Sequence, residues 1–228
     1  MNSVEGQIEK LDELLTGFPF DYAFLGGSVL SLLVTDPTAD ALRVTRDVDI
    51  LLDSSTRNEY HRAERLLESR GFHHDMREGA PLCRWTFQDI TLDVIPSHEE
   101  VLGWRSPWLA EAMEHAQQVR CGNRVVRVVS APFFVLLKLE AFEDRGGGDF
   151  LSSTDFEDVI CLFNGRDGIV GEIAQEPMAR QVLGDRFRRY LESPDLVAAI
   201  EGFVRTEVNP ESRMERILKD FRALATME

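Results

Sequence analysis

Apolar residues recur at Val4, Ile8, Leu11, Leu14 and Leu15, a three-to-four spacing that predicts an amphipathic helix beginning near Ser3. Gly17 and Pro19 end it. The short apolar run Tyr22–Leu25 predicts a buried strand, and after Gly26-Gly27 an apolar helix resumes over Ser28–Val34, so strand, glycine turn and helix follow in succession. Asp36-Pro37-Thr38-Ala39-Asp40 breaks that helix, and Val48–Leu52, flanked by acids, is a second predicted strand. Thr56–Arg70 reads as a helix with Ala63, Leu66 and Leu67 on its apolar side and Gly71 where a C-cap belongs. Leu82–Phe87 and Ile90–Ile95 read as strands around Gln88-Asp89. Alternation in the second puts Thr91, Asp93 and Ile95 on one face and Leu92 and Val94 on the other, which keeps Asp93 out of the apolar layer. The β-branched run Val125–Val129 predicts one more strand.

The pattern changes at Ser130. Ser130-Ala131-Pro132 resembles a helix start, Phe133–Phe142 has the composition of a buried helix, and further helices are expected at about 154–163, 169–183, 196–206 and 211–224, with Pro177 placed to split the second of these. Internal repeats and low-complexity tracts are absent. The expected fold class is α+β: an α/β part in residues 1–129, followed by a helical part in 130–228.

Composition narrows the functional classes. At 228 residues and 43% hydrophobic content the chain can bury a sizeable core. Its apolar runs fall short of the roughly 20 residues a membrane span needs, and its first residues lack a basic-then-apolar signal pattern, so a cytoplasmic protein with no membrane partner is expected. The formal charge of −15 repels phosphate backbones at long range and argues against a broad, non-specific nucleic-acid surface, while leaving room for a local basic patch. Cys83, Cys121 and Cys161 are odd in number and far apart, which excludes a disulfide framework or a CxxC zinc site and suggests small buried side chains. No two of the five histidines have the i, i+4 spacing of a helical zinc pair.

Two features carry chemistry. Asp47 and Asp49 lie two apart on a predicted strand, so both carboxylates share a face and repel unless a cation sits between them; Mg²⁺ favours one or two carboxylates together with substrate phosphates. A lone D-x-D is more often a pair of loop or cap acids. Gly26-Gly27-Ser28 lies between strand and helix, where glycines admit a ligand to the backbone and a helix N-terminus offers free N–H groups to an anion. Read alone, the same triplet is a tight turn with Ser28 as N-cap. Neither a Walker A motif nor G-x-G-x-x-G is present.

Taken in order, GGS, then RVTRDVDILLD with Arg43, Thr45, Asp47 and Asp49, then the strand acid of TLDVIP resemble the nucleotidyltransferase superfamily of DNA polymerase β. The R-x-T-x-D-x-D form is most similar to the stand-alone nucleotidyltransferases that include abortive-infection and toxin–antitoxin toxins. The resemblance spans roughly residues 20 to 165 and implies a nucleotidyltransferase-type mixed sheet with flanking helices. It further implies that Asp47, Asp49 and Asp93 bind two Mg²⁺ ions, with Mn²⁺ as a substitute, that Asp93 completes the site activating an acceptor hydroxyl, and that Gly26, Gly27 and Ser28 hold the phosphates of an NTP. Eighteen residues separate Ser28 from Asp47, more than in the family's shortest versions, which a loop at 36–40 absorbs.

The segment APFFVLLKLEAFEDRGGGDFLSSTDFEDV resembles the toxin-type relatives again, with Lys138, then Arg145, then Asp155 and Asp158 as D-x-x-D, here after an inserted 146–153. A lysine inside an apolar helix either snorkels to water or faces anionic groups, and the resemblance gives Lys138 a triphosphate. Asp155 and Asp158 are either site acids or a cap with a solvated helix face, and Arg84 either a phosphate or acceptor contact or an exposed sheet arginine. The activity implied is transfer of NMP from an NTP to a hydroxyl of tRNA or protein, with a cognate antitoxin as a further partner. The alternatives are a small-molecule, antibiotic-type acceptor and an inactive nucleotide-binding protein on the same fold, and the presence of all three acids with GGS counts against the last.

Overall fold

The structure, a computed structural model, describes residues 3–39, 45, 47–103, 106–145, 147–205 and 209–227. The chain divides into two compact units, Met1–Leu32 with Arg43–Ser130, and Leu33–Leu42 with Ala131–Glu228. The strands are β1 (Tyr22–Leu25), β2 (Asp47–Leu52), β3 (His73–His74), β4 (Arg84–Phe87), β5 (Ile90–Pro96), β6 (Gln117–Cys121) and β7 (Arg124–Val128). The helices of the first unit are α1 (Val4–Leu14), α2 (Leu30–Leu33), whose last residue belongs to the second unit, α3 (Arg57–Ser69), α4 (Glu99–Leu102) and α5 (Leu109–Glu114).

The strands form one seven-stranded sheet in the order β3-β4-β5-β2-β1-β7-β6. The pairs β2–β5 and β1–β7 are parallel and the rest antiparallel, so the sheet is mixed. Helix α1 lies against β2, β6 and β7, α4 against β5 and α5 against β2. Local chemistry sets the boundaries: the Ser3 hydroxyl accepts from the Gly6 N–H to open α1, and Thr56 with Glu59 forms a reciprocal capping box at α3. Gly71, at φ +88°, follows the C-cap of α3. The apolar faces then fill the core with Ile8, Leu11, Phe24, Ile50, Tyr60, Leu67 and Trp85, each at most 1% exposed.

Several parts of this unit differ from the expected pattern, among them the two-residue strand β3. The stretch after the glycines is a 3₁₀ turn over Gly27–Val29 followed by the four-residue α2, because the chain leaves β1 through a positive-φ glycine that compresses the first turn. Strand β6 was not anticipated, since QQVRC on the sheet edge exposes Gln118 and Arg120 and has no apolar run. The helices α4 and α5, of four and six residues, are too short to show a period.

The second unit is helical: α6 (Ala131–Asp144), α7 (Thr154–Gly165), α8 (Ile169–Ala174), α9 (Pro177–Tyr190), α10 (Leu196–Phe203) and α11 (Pro210–Ala225). Pro177 splits the expected 169–183 helix and opens α9 as its first residue. The anticipated end of α10 near Thr206 lies outside the described residues. Aromatic rings fill the interior, with Phe163 edge-on to Phe221 at 4.9 Å and Phe187 tilted on Phe221 at 4.3 Å. Residues 33–39 are held within this unit: Gly165 O accepts from the Thr35 and Asp36 N–H groups, and the buried Arg213 guanidinium donates to Asn164, Asp36 and Thr38. The three cysteines are buried, and none forms a disulfide among the described residues.

Candidate active site

The chemistry of the first unit gathers on one sheet face. Strands β2 and β5 pair in parallel with Asp49 beside Asp93, and Asp47 lies two residues before Asp49, so all three carboxylates leave the same side. Strand β4 runs antiparallel to β5 through a two-residue turn at Gln88-Asp89 and sets Arg84 opposite Asp93. On its other side β2 pairs with β1, bringing Leu25 beside Asp49 and delivering the glycine turn directly to the acids.

Gly26 makes that approach feasible. It sits at φ +73°, ψ −167°, a region almost closed to other residues, and a Cβ built on it would lie 2.0 Å from Asp49 Oδ2. The Asp49 carboxylate therefore rests on bare backbone. Gly26→Ala is expected to destabilise the protein by about 1–3 kcal/mol from backbone strain alone and to push Asp49 from its place. Chemical denaturation checks the first effect and a crystal structure of the variant the second.

The Ser28 side chain is buried, and its hydroxyl donates to Leu25 O at 3.0 Å, which fixes the turn. It is not an N-cap side chain: the 3₁₀ turn begins at Gly27 with Gly26 as its cap.

Arg84 dominates the electrostatics. Its Nε donates to Asp93 Oδ1 at 2.8 Å and its Nη2 to Asp93 Oδ2 at 2.6 Å, a two-point fork, and Nη2 also donates to Asp47 Oδ2 at 2.9 Å. The hydrogen bonds that it donates to Asp93 are the largest influence on the guanidinium and raise its pKa further, against the opposing effect of burial. Arg84 is thus not the exposed sheet arginine that was one of its two readings: it is a counter-ion to Asp93 and Asp47. Asp93 is only 7% exposed, covered by this arginine rather than by the apolar layer. Among the described residues no three His, Cys, Asp or Glu side chains already converge as a metal cage, since Asp47 and Asp93 both turn to the guanidinium.

The donor set nevertheless fits a hard cation. Three carboxylates on adjacent strands supply the oxygen ligands that Mg²⁺ or Mn²⁺ takes, and a guanidinium lying among them marks a position where positive charge is stabilised. Burial, with the Asp93 and Asp49 charges adding to it, pushes the nearby Cys83 thiol up to about 12, so it stays protonated at neutral pH and offers no nucleophile. Thr45 is half-buried, and Arg43 lies outside the described residues. A surface groove of about 350 Å³ lies at the opposite end of β1 from Gly26, lined by Phe18, Phe20, Tyr22 and Arg124 among others, with Asp12 taking up both Tyr22 and Arg124.

The second unit brings its own predicted residues together. Lys138 on α6 is 9% exposed, and its amine lies 3.0 Å from Asp155 Oδ1 and 2.6 Å from Asp158 Oδ2 on α7. Arg145 donates to both oxygens of Asp155. Lys138 therefore does not snorkel, and Asp155 and Asp158 are not on a solvated face; Ser153, whose hydroxyl accepts from the Phe156 N–H, caps α7 instead. Gly146 lies outside the described residues.

No protein-family model matches the chain, and no curated protein sequence does. Among solved structures, the chain is similar to an antigenic nucleotidyltransferase-like protein from Paracoccidioides brasiliensis, at 21% identity over 89% of this chain and 94% of that one, with a TM-score of 0.51. A looser likeness, 16% identity over 69% of this chain and 81% of the other with a TM-score of 0.45, is to the antibiotic-resistance factor ANT(2'')-Ia. The chain thus has a nucleotidyltransferase-type α+β fold, a mixed seven-stranded sheet with flanking helices followed by a helical C-terminal part. Among the described residues no helix is long and apolar enough to cross a membrane.

Proposed function

We propose that the protein is a metal-dependent nucleotidyltransferase that moves NMP from an NTP to an acceptor hydroxyl and releases pyrophosphate. The observation carrying this reading is the register that sets Asp49 beside Asp93, with Asp47 on the same face and the bare backbone of Gly26 against Asp49. Three acids on one face repel one another; Arg84 offsets part of that repulsion by holding Asp93 and Asp47, and a bound divalent cation would offset it further.

In this reading Asp47, Asp49 and Asp93 hold the divalent ions, Mg²⁺ or Mn²⁺, and the backbone of Gly26, Gly27 and Ser28 receives the β- and γ-phosphates. The bound ions supply charge neutralisation on the transferring group and a lowered pKa for the attacking hydroxyl. Asp93 orients that hydroxyl and accepts its proton as the oxygen bonds to the α-phosphorus; the bond from the α-phosphorus to the bridging oxygen breaks, and pyrophosphate leaves. Positioning and charge neutralisation supply most of the acceleration in such a transfer.

We place the acceptor hydroxyl on tRNA or protein, as the toxin-like R-x-T-x-D-x-D pattern suggests. The formal charge of −15 favours a second reading, a cationic small molecule of the antibiotic type, which such a surface attracts. Incubating the protein with each α-labelled NTP, Mg²⁺ and separate pools of tRNA, protein and cationic small molecules distinguishes them. Label in the tRNA or protein pool supports the first reading and label in the small-molecule pool the second. Failure of all pools, with no self-labelling and no NTP binding by calorimetry, overturns both.

A further inference from the structure

The Arg84 fork uses both oxygens of Asp93 and one of Asp47, so the protein itself supplies a positive charge between these two acids. The backbone that carries Arg84 is fixed: the hairpin register sets it, and the neighbouring Trp85 side chain is fully buried. The side chain is 23% exposed, so it has a solvent side into which it can turn without moving the strand. Arg84 Nη2 bridges Asp93 Oδ2 and Asp47 Oδ2, so it takes the lone pairs through which one cation would be shared by these two acids.

We infer that Arg84 is a built-in gate on the acid site: its guanidinium occupies the position of charge between Asp93 and Asp47 that a shared divalent cation would take, so the Arg84 bridge and a cation held jointly by Asp93 and Asp47 exclude each other. This inference rests on the metal-binding reading given above. The closed state protects the apo protein from carboxylate repulsion and lowers apparent cation affinity by the fraction of molecules that are open. Lysine cannot replace arginine here, since a single ammonium does not span two oxygens of one carboxylate and one of the next in the fork geometry.

Two measurements without nucleotide or acceptor test the gate. In wild-type protein labelled with ¹⁵N-arginine, the Nε–H resonance of Arg84, assigned by its loss in Arg84→Lys, is expected to be protected from exchange in the apo state and to lose that protection as Mg²⁺ is added. By calorimetry with Mn²⁺, Arg84→Met is expected to bind about tenfold more tightly or better, the gain that follows when the open state is populated at a tenth or less. Arg84→Lys, which keeps the charge and guards against a folding failure, is expected to show a smaller gain in the same direction. An Nε–H that stays protected while Mg²⁺ binds, or variants that bind Mn²⁺ no more tightly than wild type, overturns the gate and leaves the metal site standing. Wild type that binds neither cation, or binds them equally well after Asp49→Ala, overturns the metal reading itself.

Discussion

Asp47→Ala is expected to abolish metal-dependent transfer, by about a thousandfold or more, while the protein melts close to wild type. The size follows from losing a ligand to a cation that contributes several kcal/mol of transition-state charge stabilisation. The fold should survive for a structural reason. The Asp47 side chain is 38% exposed and shares Arg84 with Asp93, so its removal leaves the Arg84–Asp93 fork intact and strands no buried charge. Transfer rates with saturating Mg²⁺, set beside thermal denaturation, check both halves. A rate within a few-fold of wild type removes Asp47 from the site, and a collapse in melting temperature would show that its role is structural.

The second large effect lies in the helical unit. Lys138→Met is expected to destabilise that unit by about 3–5 kcal/mol, because it leaves buried carboxylates on α7 without their shared ammonium. Burial lowers the Lys138 pKa, but the attractions of Asp158 and Asp155 outweigh burial and hold it above the ordinary lysine value. Burial raises Asp155, and the Arg145 hydrogen bonds with the Lys138 charge overcome it and hold that carboxyl below its ordinary range. A raised lysine contributes stability that is complete below about pH 10.4 and is lost as pH rises through its folded value. A depressed aspartate contributes stability that is complete above about pH 3.9 and is lost as pH falls through its folded value. Wild type should therefore hold this contribution across the neutral range and lose it at both extremes. Denaturant melts of wild type, Lys138→Met and Lys138→Met with Asp158→Asn measure it. The double variant should recover part of the loss, since it buries one negative charge fewer beside Asp155, and a Lys138→Met protein as stable as wild type would refute the buried-cluster account.

The sequence pattern foretold β1, β2, β5, β7 and the long helices because each is an uninterrupted apolar run or a clear helical period with a glycine or proline at its end. It did not foretell β6, whose edge position allows polar residues at alternate sites, or the two-residue β3. The three acids were legible from strand alternation, and the resemblance linked them before any register was known. What the pattern left open was their counter-ion. The signal was present: Gln88-Asp89 as a two-residue turn pairs Phe87 with Ile90, and counting outward from that pair sets Arg84 against Asp93. In the same way, two carboxylates three residues apart beside a lysine-bearing apolar helix gave either a solvated or a site reading. A mutually neutralised buried cluster depends on how α6 meets α7, which neither helix encodes alone.

As a nucleotidyltransferase centre, the acid site would break the bond between the α-phosphorus and the bridging oxygen of a nucleoside triphosphate. Parallel reactions with NTP labelled at the α- or the γ-phosphorus, in Mg²⁺ and with the acceptor pools, test it most directly. The expected result is α-label covalently attached to acceptor and γ-label recovered as pyrophosphate, both abolished in Asp47→Ala. Recovery of γ-label on the acceptor, or of both labels in unchanged NTP, would contradict it.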